Sequence, residues 1–449
     1  MKTLLQRILR FFSSLEPRPR LDEGEIRNKY TRFRRSVFLS ATIGYSIFYV
    51  CRLSLSVTKK PLVDQGVLDD SQVGMVGSVL FFTYAVGKLT NGFLADRSNI
   101  RRFMSAGLLG SAFLNLALGF RLPFLLFLLL WGLNGWFQSM GAAPSVVSLS
   151  RWFSNRERGT FYGVWSASHS LGKGITFVVV AFFVSLGGWR WGFFGAGVIG
   201  LIGALVVALF LRDSPESEGL PSISEYKDDP VGASTREKSV GQLQLAVLKN
   251  PFLWVLASAS ALMYVSRYGI ESWGIYFLQA QKGYTGLEAG SIVSVSAVSG
   301  VAGTMLAGFV SDRFFRSSRN IPVLVAGILN VTAIALFLYY PDGSPWMDTA
   351  SMVLFGFAIG ILVTFLGGLM AVDIASKKAS GAALGFVGIA SYAGAGIQDV
   401  VSGSLIGAHH TTTAGIETYD FSTVKMFWLS AALLSVLCAL FVWKAEPED

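Results

Sequence analysis

Charge is scarce in this chain: Asp, Glu, Lys and Arg make up 14% of 449 residues, while 52% are hydrophobic and mean hydropathy is +0.53. A soluble globular protein of this length carries about a quarter charged residues, so that class is excluded. Cysteine is nearly absent. Cys51 and Cys438 fall in apolar runs near opposite ends of the chain, which excludes a disulfide scaffold or a thiolate metal cage. Histidine is confined to His169, His409 and His410, and the adjacent pair in "AHHTTTAG" lacks further ligands at metal spacing. No metal and no cofactor are assigned. Neither a nucleophile–base constellation nor a Gly-rich nucleotide loop occurs, which argues against an enzyme. The formal net charge of +9 would suggest nucleic acid in a soluble chain, but here its placement around apolar runs matters more, and no nucleic-acid partner is expected.

What the sequence has instead is long apolar runs, at about 36–57, 72–96, 103–120, 122–150, 159–187, 191–211, 251–278, 286–311, 321–340, 351–375, 381–407 and 423–443. Each is near the roughly 20 residues a helix needs to cross a bilayer. They predict an all-α membrane protein of twelve transmembrane helices in two six-helix halves. The expected division is a basic N-terminal segment (1–35), a first half (36–212), a polar linker (213–250), a second half (251–443) and a short tail (444–449). The start, "MKTLLQRILRFF", interleaves basic and apolar residues and reads as an amphipathic helix lying on the membrane, not a signal peptide. Most of the 37 Lys and Arg residues fall on one side when the spans are threaded, with Lys59, Lys60, Arg121, Arg190, Lys282 and Lys425 on the other. The positive-inside rule then places both termini in the cytoplasm of a plasma (bacterial inner) membrane.

Four cations lie inside the spans: Arg52, Lys88, Lys173 and Arg267. A cation at the bilayer centre costs roughly 2.5–3.5 kcal/mol on insertion scales, so it is kept where it faces a wet cavity or a partner. The halves repeat weakly. "GFLADRSNIRR" follows the second run and "GFVSDRFFRSSR" the eighth, and the Asp96 to Asp312 offset matches the Arg52 to Arg267 offset to within one residue. The two arginines are thus a symmetry-related pair, one per half. Each presents a planar fork of donors able to hold a phosphate oxyanion bidentately, and the excess of cations calls for an anionic cargo. Glu271, one turn after Arg267, can pair with it or with a neighbouring helix. Asp399 can couple protons or pair with Lys88 or Lys173.

Six plus six runs, with a Gly-x-x-x-Asp-Arg turn after the second of each half, resemble the major facilitator superfamily over the whole chain. That resemblance implies halves related by an axis along the membrane normal, a midplane site and alternating access. It also implies gating roles for Asp96, Arg97, Asp312 and Arg313. "GYSIFYVCR", "TYAVGK", "SASHSLGKG" and "SRYGIESWG" narrow it to the organophosphate:inorganic phosphate antiporter family. By that resemblance Arg52 and Arg267 bind phosphate, His169 contacts it, Tyr45, Tyr49, Tyr84 and Lys88 line the pathway, and Trp273, in the Arg267 motif, is expected among the substrate-binding residues. The chain departs from the family at Leu53, where Lys is common, at Ala297, where Glu is usual, at Lys173 within the fifth-run motif, and in "GILVTFLGG", which lacks a Gly-Pro pair. Lys173, one turn after His169, is expected to replace in part the cation lost at Leu53 and to bind substrate.

The expected partners are a phosphorylated small molecule of the hexose-6-phosphate or glycerol-3-phosphate class, inorganic phosphate and the lipid bilayer, with the protein a monomer. Two alternatives stay open. One is a sugar-phosphate receptor signalling to a sensor kinase, since the family contains one. The other is a proton-coupled organic anion transporter working through Asp399 or Glu271.

Overall fold

The computed structural model describes residues 11–13, 15–228, 247–314, 319–341, 344–374, 380–413 and 416–442. Among these, twelve helical passes follow one another: Glu23–Asp64, Asp70–Arg97, Ile100–Leu118, Phe124–Trp152, Asn155–Gly187, Trp189–Phe210, Pro251–Lys282, Gly286–Phe314, Asn320–Tyr339, Pro345–Ile374, Ser380–Ala408 and Ser422–Phe441. Ten are long and apolar enough to cross a membrane by length and composition alone. The third carries Arg101 and Arg102 in its first turn, and the seventh carries Arg267 and Glu271 at its middle. The chain is a multi-pass integral membrane protein.

Local chemistry sets the ends. Asp69 and Gln72 form a reciprocal capping box at the start of the second span, satisfying two amides that the helix leaves free. Asn99 caps the third span and Asn250 the seventh, where Pro251 supplies a first-turn residue with no amide to satisfy. The seventh ends at Gly283, whose φ of +72° is left-handed and suits glycine. Three passes are not continuous α-helix. The fourth breaks at 139–141 just before Pro144, the fifth breaks at Ala167, and the tenth contains a π turn, Phe365–Leu369.

One expectation is corrected here. The first span runs to Asp64, well past the predicted end at 57, so Lys59 and Lys60 lie on the helix and not in an outer loop. The expected linker is tethered at its start. Asp213 is buried, accepts from the Ile100 amide at 2.9 Å and from Arg151 at 2.6 Å, and Tyr226 stacks on Tyr30 at 4.0 Å. A carboxylate that caps one helix while pairing with an arginine from another fixes the chain as it leaves the sixth span. The rest of that linker (229–246), the tail (443–449) and most of the amphipathic N-terminal helix (1–10) lie outside the described residues.

The seams between the halves run between spans two and eleven and between spans five and eight. They are made by glycine. A Cβ on Gly74 would lie 2.5 Å from the Asp399 carbonyl oxygen and 3.0 Å from the Gly403 Cα. On the face reached by residues 64–70 and 409–421, His410–Thr413 (β1) pairs with Ile416–Tyr419 (β2) in an antiparallel hairpin. His410 on β1 bonds Asp70 at 2.8 Å, and Tyr276 donates to the same carboxylate. This hairpin face is closed.

Candidate functional site

The buried centre is built from spans one, two, five, seven and eleven. Tyr49, Arg52, Tyr264 and Arg267 lie on the two symmetry-related helices, each arginine three residues after a tyrosine. Arg52 is 4% exposed and Arg267 5%. Their surroundings differ.

Arg52 is held by rings. Its guanidinium carbon lies 4.1 Å from the Tyr84 ring centroid and 5.6 to 5.9 Å from Tyr49, Tyr392 and Phe81. Aromatic faces attract a cation but do not accept the in-plane N–H groups. The Nε and Nη2 atoms are buried and hydrogen-bond to nothing among the described residues. Arg267 sits against Tyr264 and Tyr268, and its Nε donates to Glu271 Oε1 at 3.1 Å. The same oxygen accepts from Lys173 Nζ at 2.7 Å, so Lys173 of the first half and Arg267 of the second share one carboxylate across the interface.

The other expected residues distribute around this centre. Tyr45 stacks on Trp165 at 4.9 Å and meets Tyr49 edge-on. The His169 ring lies 5.9 Å from Tyr49, with Nδ1 at the Ser166 carbonyl and Nε2 3.2 Å from the Ser170 hydroxyl. Lys88 is exposed and lies 5.2 Å from the Tyr392 ring, in the half of its span away from the hairpin. The side chains of Asp96, Arg97 and Asp312 lie outside the described residues, and Arg313 is exposed at the end of its helix.

One expectation changes. Asp399 pairs with neither Lys88 nor Lys173 but with Lys59, at 2.9 Å, with both side chains 1% exposed. Trp273, expected among the substrate-binding residues, donates its indole N–H to Asp399 at 2.5 Å and lies under Lys59 Nζ at 3.7 Å. Sequence reasoning ended the first span at Val57 and so missed Lys59, although its position seven residues after Arg52, on one helix face, carried the signal. It also missed Tyr264, Tyr268 and Tyr392. The repeat of a tyrosine three residues before each arginine would have found the first of them.

Chemically, the centre holds several cations, one shared carboxylate, a ring of phenols and one guanidinium with free donors. Such a set suits a compact oxyanion.

Comparison with known proteins agrees with this architecture. The chain matches a probable hexose phosphate transport protein of Chlamydia pneumoniae at 33% identity, over 95% of each chain. It is 32% identical to the membrane sensor protein UhpC of Escherichia coli K12, covering 84% of this chain and 87% of that one. By fold it superposes on a bacterial homologue of the human lysosomal transporter Spinster, in an inward-facing and unoccupied conformation. The TM-score is 0.73 at 18% identity, covering 92% of this chain and 97% of that one. The family model described as Major Facilitator Superfamily matches residues 36–398. With twelve helical passes meeting along glycine seams and a charged centre between them, the chain belongs to the major facilitator superfamily, a family of transport proteins and not of enzymes.

Proposed function

We propose that this protein is a secondary transporter that exchanges a phosphorylated organic metabolite, of the hexose-6-phosphate or glycerol-3-phosphate class, for inorganic phosphate by alternating access. The observation that carries the reading is Arg52: a buried, permanently charged fork with free Nε and Nη2 donors, set beside the Lys173–Glu271–Arg267 cluster. A guanidinium with two buried donors unpartnered among the described residues is costly at this depth unless an anion completes it. In this reading phosphate takes the Arg52 donors, competes with Glu271 for Arg267 and Lys173, and contacts His169, while Tyr45, Tyr49, Tyr84 and Lys88 line the approach. The two halves, 36–212 and 251–443, rock about the site, and Asp96, Arg97, Asp312 and Arg313 gate the terminal face.

Exchange follows from electrostatics. An empty site keeps uncompensated charge in a cavity that must close to a low dielectric, whereas a bound dianion offsets that charge and lowers the barrier to rocking. In this reading both termini lie in the cytoplasm of the plasma membrane, which the distribution of Lys and Arg supports.

The test is uptake of labelled phosphate into phosphate-loaded proteoliposomes, with Arg52→Lys and Arg267→Lys as controls and unlabelled sugar phosphates and glycerol-3-phosphate as competitors. Exchange abolished in both variants and blocked by a competitor supports the antiporter. The similarity to a membrane sensor favours a second reading, a receptor that binds sugar phosphate and signals to a partner kinase. Tight binding of glucose-6-phosphate without any exchange would select it.

A further inference from the structure

Lys59 is fully buried, two helical turns beyond Arg52 toward the hairpin face, and none of the family motifs includes it. Its Nζ donates to Asp399 Oδ1 at 2.9 Å and to the Ser272 hydroxyl at 2.8 Å. The same carboxylate oxygen also accepts from Ser272 at 2.9 Å and from the Trp273 indole at 2.5 Å. Lys59 belongs to the first span, while Asp399, Ser272 and Trp273 belong to spans eleven and seven. The cluster therefore crosses from one half to the other.

A residue seven positions along an α-helix returns to nearly the same face, about 10 Å further along the axis. Arg52 and Lys59 therefore look the same way. A void of about 20 Å³, walled by Arg52, Ser56, Tyr268, Ser272 and Asp399 together with apolar side chains such as Phe81 and Trp131, adjoins Asp399 and Ser272, the two partners of Lys59. Arg52, whose Nε and Nη2 have no partner among the described residues, forms part of its wall. The anion now facing this void is the protein's own Asp399.

Resting on the transport reading above, we infer that Lys59 is a third cationic ligand of the phosphorylated substrate, available only when the hairpin face opens, and that Asp399 is the internal anion it holds when that face is shut. The geometry supplies the exchange. If the halves part on this side, Lys59 stays beside Arg52 on the first span, while Asp399, Ser272 and Trp273 leave with the second half. An ammonium stripped of its carboxylate then faces a wet cavity one helix face from a guanidinium with free donors. A phosphate oxyanion satisfies both, and on its departure Asp399 reclaims Lys59 and the face closes. The substrate would thus meet Lys173 and Arg267 from one side of the membrane and Lys59 from the other.

The experiment reads alkylation of Ser56→Cys by a maleimide in nanodiscs, with Cys51→Ala and Cys438→Ser as background. Ser56 is buried in the closed state and walls the void. Asp399→Asn should open the hairpin face and raise the alkylation rate about fivefold or more, and inorganic phosphate should protect the cysteine. In Lys59→Gln/Asp399→Asn, where both charges are removed and no buried ion is orphaned, the cysteine should stay reactive while the phosphate concentration giving half-protection rises about tenfold. Lys59→Arg/Asp399→Asn should restore protection. Unchanged half-protection in the double variant overturns Lys59 as a ligand, and an unchanged rate in Asp399→Asn overturns the pair as the closure. Calorimetry on the unsubstituted protein separates the two levels. Phosphate binding there with no Lys59 effect sinks this inference alone, and no binding of phosphate or glucose-6-phosphate sinks the transport reading and this inference with it.

Discussion

Arg52 and Arg267 occupy equivalent positions in the two halves, each three residues after a tyrosine, yet one is held by aromatic faces and the other by a carboxylate. Rings neutralise little of a guanidinium's hydrogen-bonding demand, so Arg52 is ready for an anion. Arg267 must first give up part of its bond to Glu271, which Lys173 also holds. The symmetry of the fold places the charges, and the asymmetry of their partners divides the work between capture and release.

The sharpest way to break this comparison is to shorten each fork. Arg52→Lys should lower phosphate affinity at least about 100-fold, roughly 2.7 kcal/mol, because a point charge cannot reproduce two parallel bonds. Thermal stability should barely change, since no ion pair is lost; a large drop in melting temperature measured alongside calorimetry would mean that Arg52 is structural. Arg267→Ala should lower affinity by a similar factor but leave Glu271 with Lys173 still paired, so fluorescence-monitored unfolding should show only modest destabilisation.

Glu271→Gln tests the release half. Removing the competing carboxylate frees both Arg267 and Lys173, and phosphate should bind about tenfold tighter while counterflow slows, because the site loses the internal anion that helps expel cargo. Tighter binding with faster exchange would contradict this assignment. Lys173→Gln should weaken binding by a few-fold to about tenfold, the cost of one partly compensated cation. Because Lys173 and Arg267 share one oxygen, the Lys173→Gln and Glu271→Gln effects should not add, and a double-mutant cycle in equilibrium binding should give a coupling of about 1 kcal/mol or more. The smallest effect is expected at His169, whose ring nitrogens already face Ser166 and Ser170. His169→Gln should shift affinity by no more than about threefold, within the worth of a neutral hydrogen bond.

The sequence made the twelve passes legible because bilayer thickness imposes a length that soluble context cannot blur. The arginine pair was legible for a related reason: a charge within an apolar run is rare and needs an explanation. Lys59 was not, because two lysines and a proline after an apolar run look like a loop. Only the packing of Asp399, Ser272 and Trp273 around Lys59 shows the helix carrying it inward. Asp399 and Trp273 were singled out as functional, but their partners depend on which helices meet, and that is a long-range property. The ordered start of the linker escaped for the same reason: Asp213 reads as a polar residue in a polar stretch until Ile100 and Arg151 are brought to it. Glu271 was the intermediate case. Its spacing from Arg267 announced the pair, while the third member, Lys173, comes from the other half.

The glycine seam between spans two and eleven has a mechanical consequence. At Gly74 and Gly403 backbone lies against backbone, so no side-chain knob sits in a facing hole at that crossing, whereas Asp399 sits over Gly77 and Phe82 over Gly396 further along. Interlocked surfaces move in notches, each a local energy minimum; a smooth contact is a bearing that can roll through its range without stopping. For such a bearing the resting angle is chosen by the clasps on either side and not by the contact itself. A protein built this way can be retuned between its two orientations by changing a few charges while the surfaces that turn against each other stay the same.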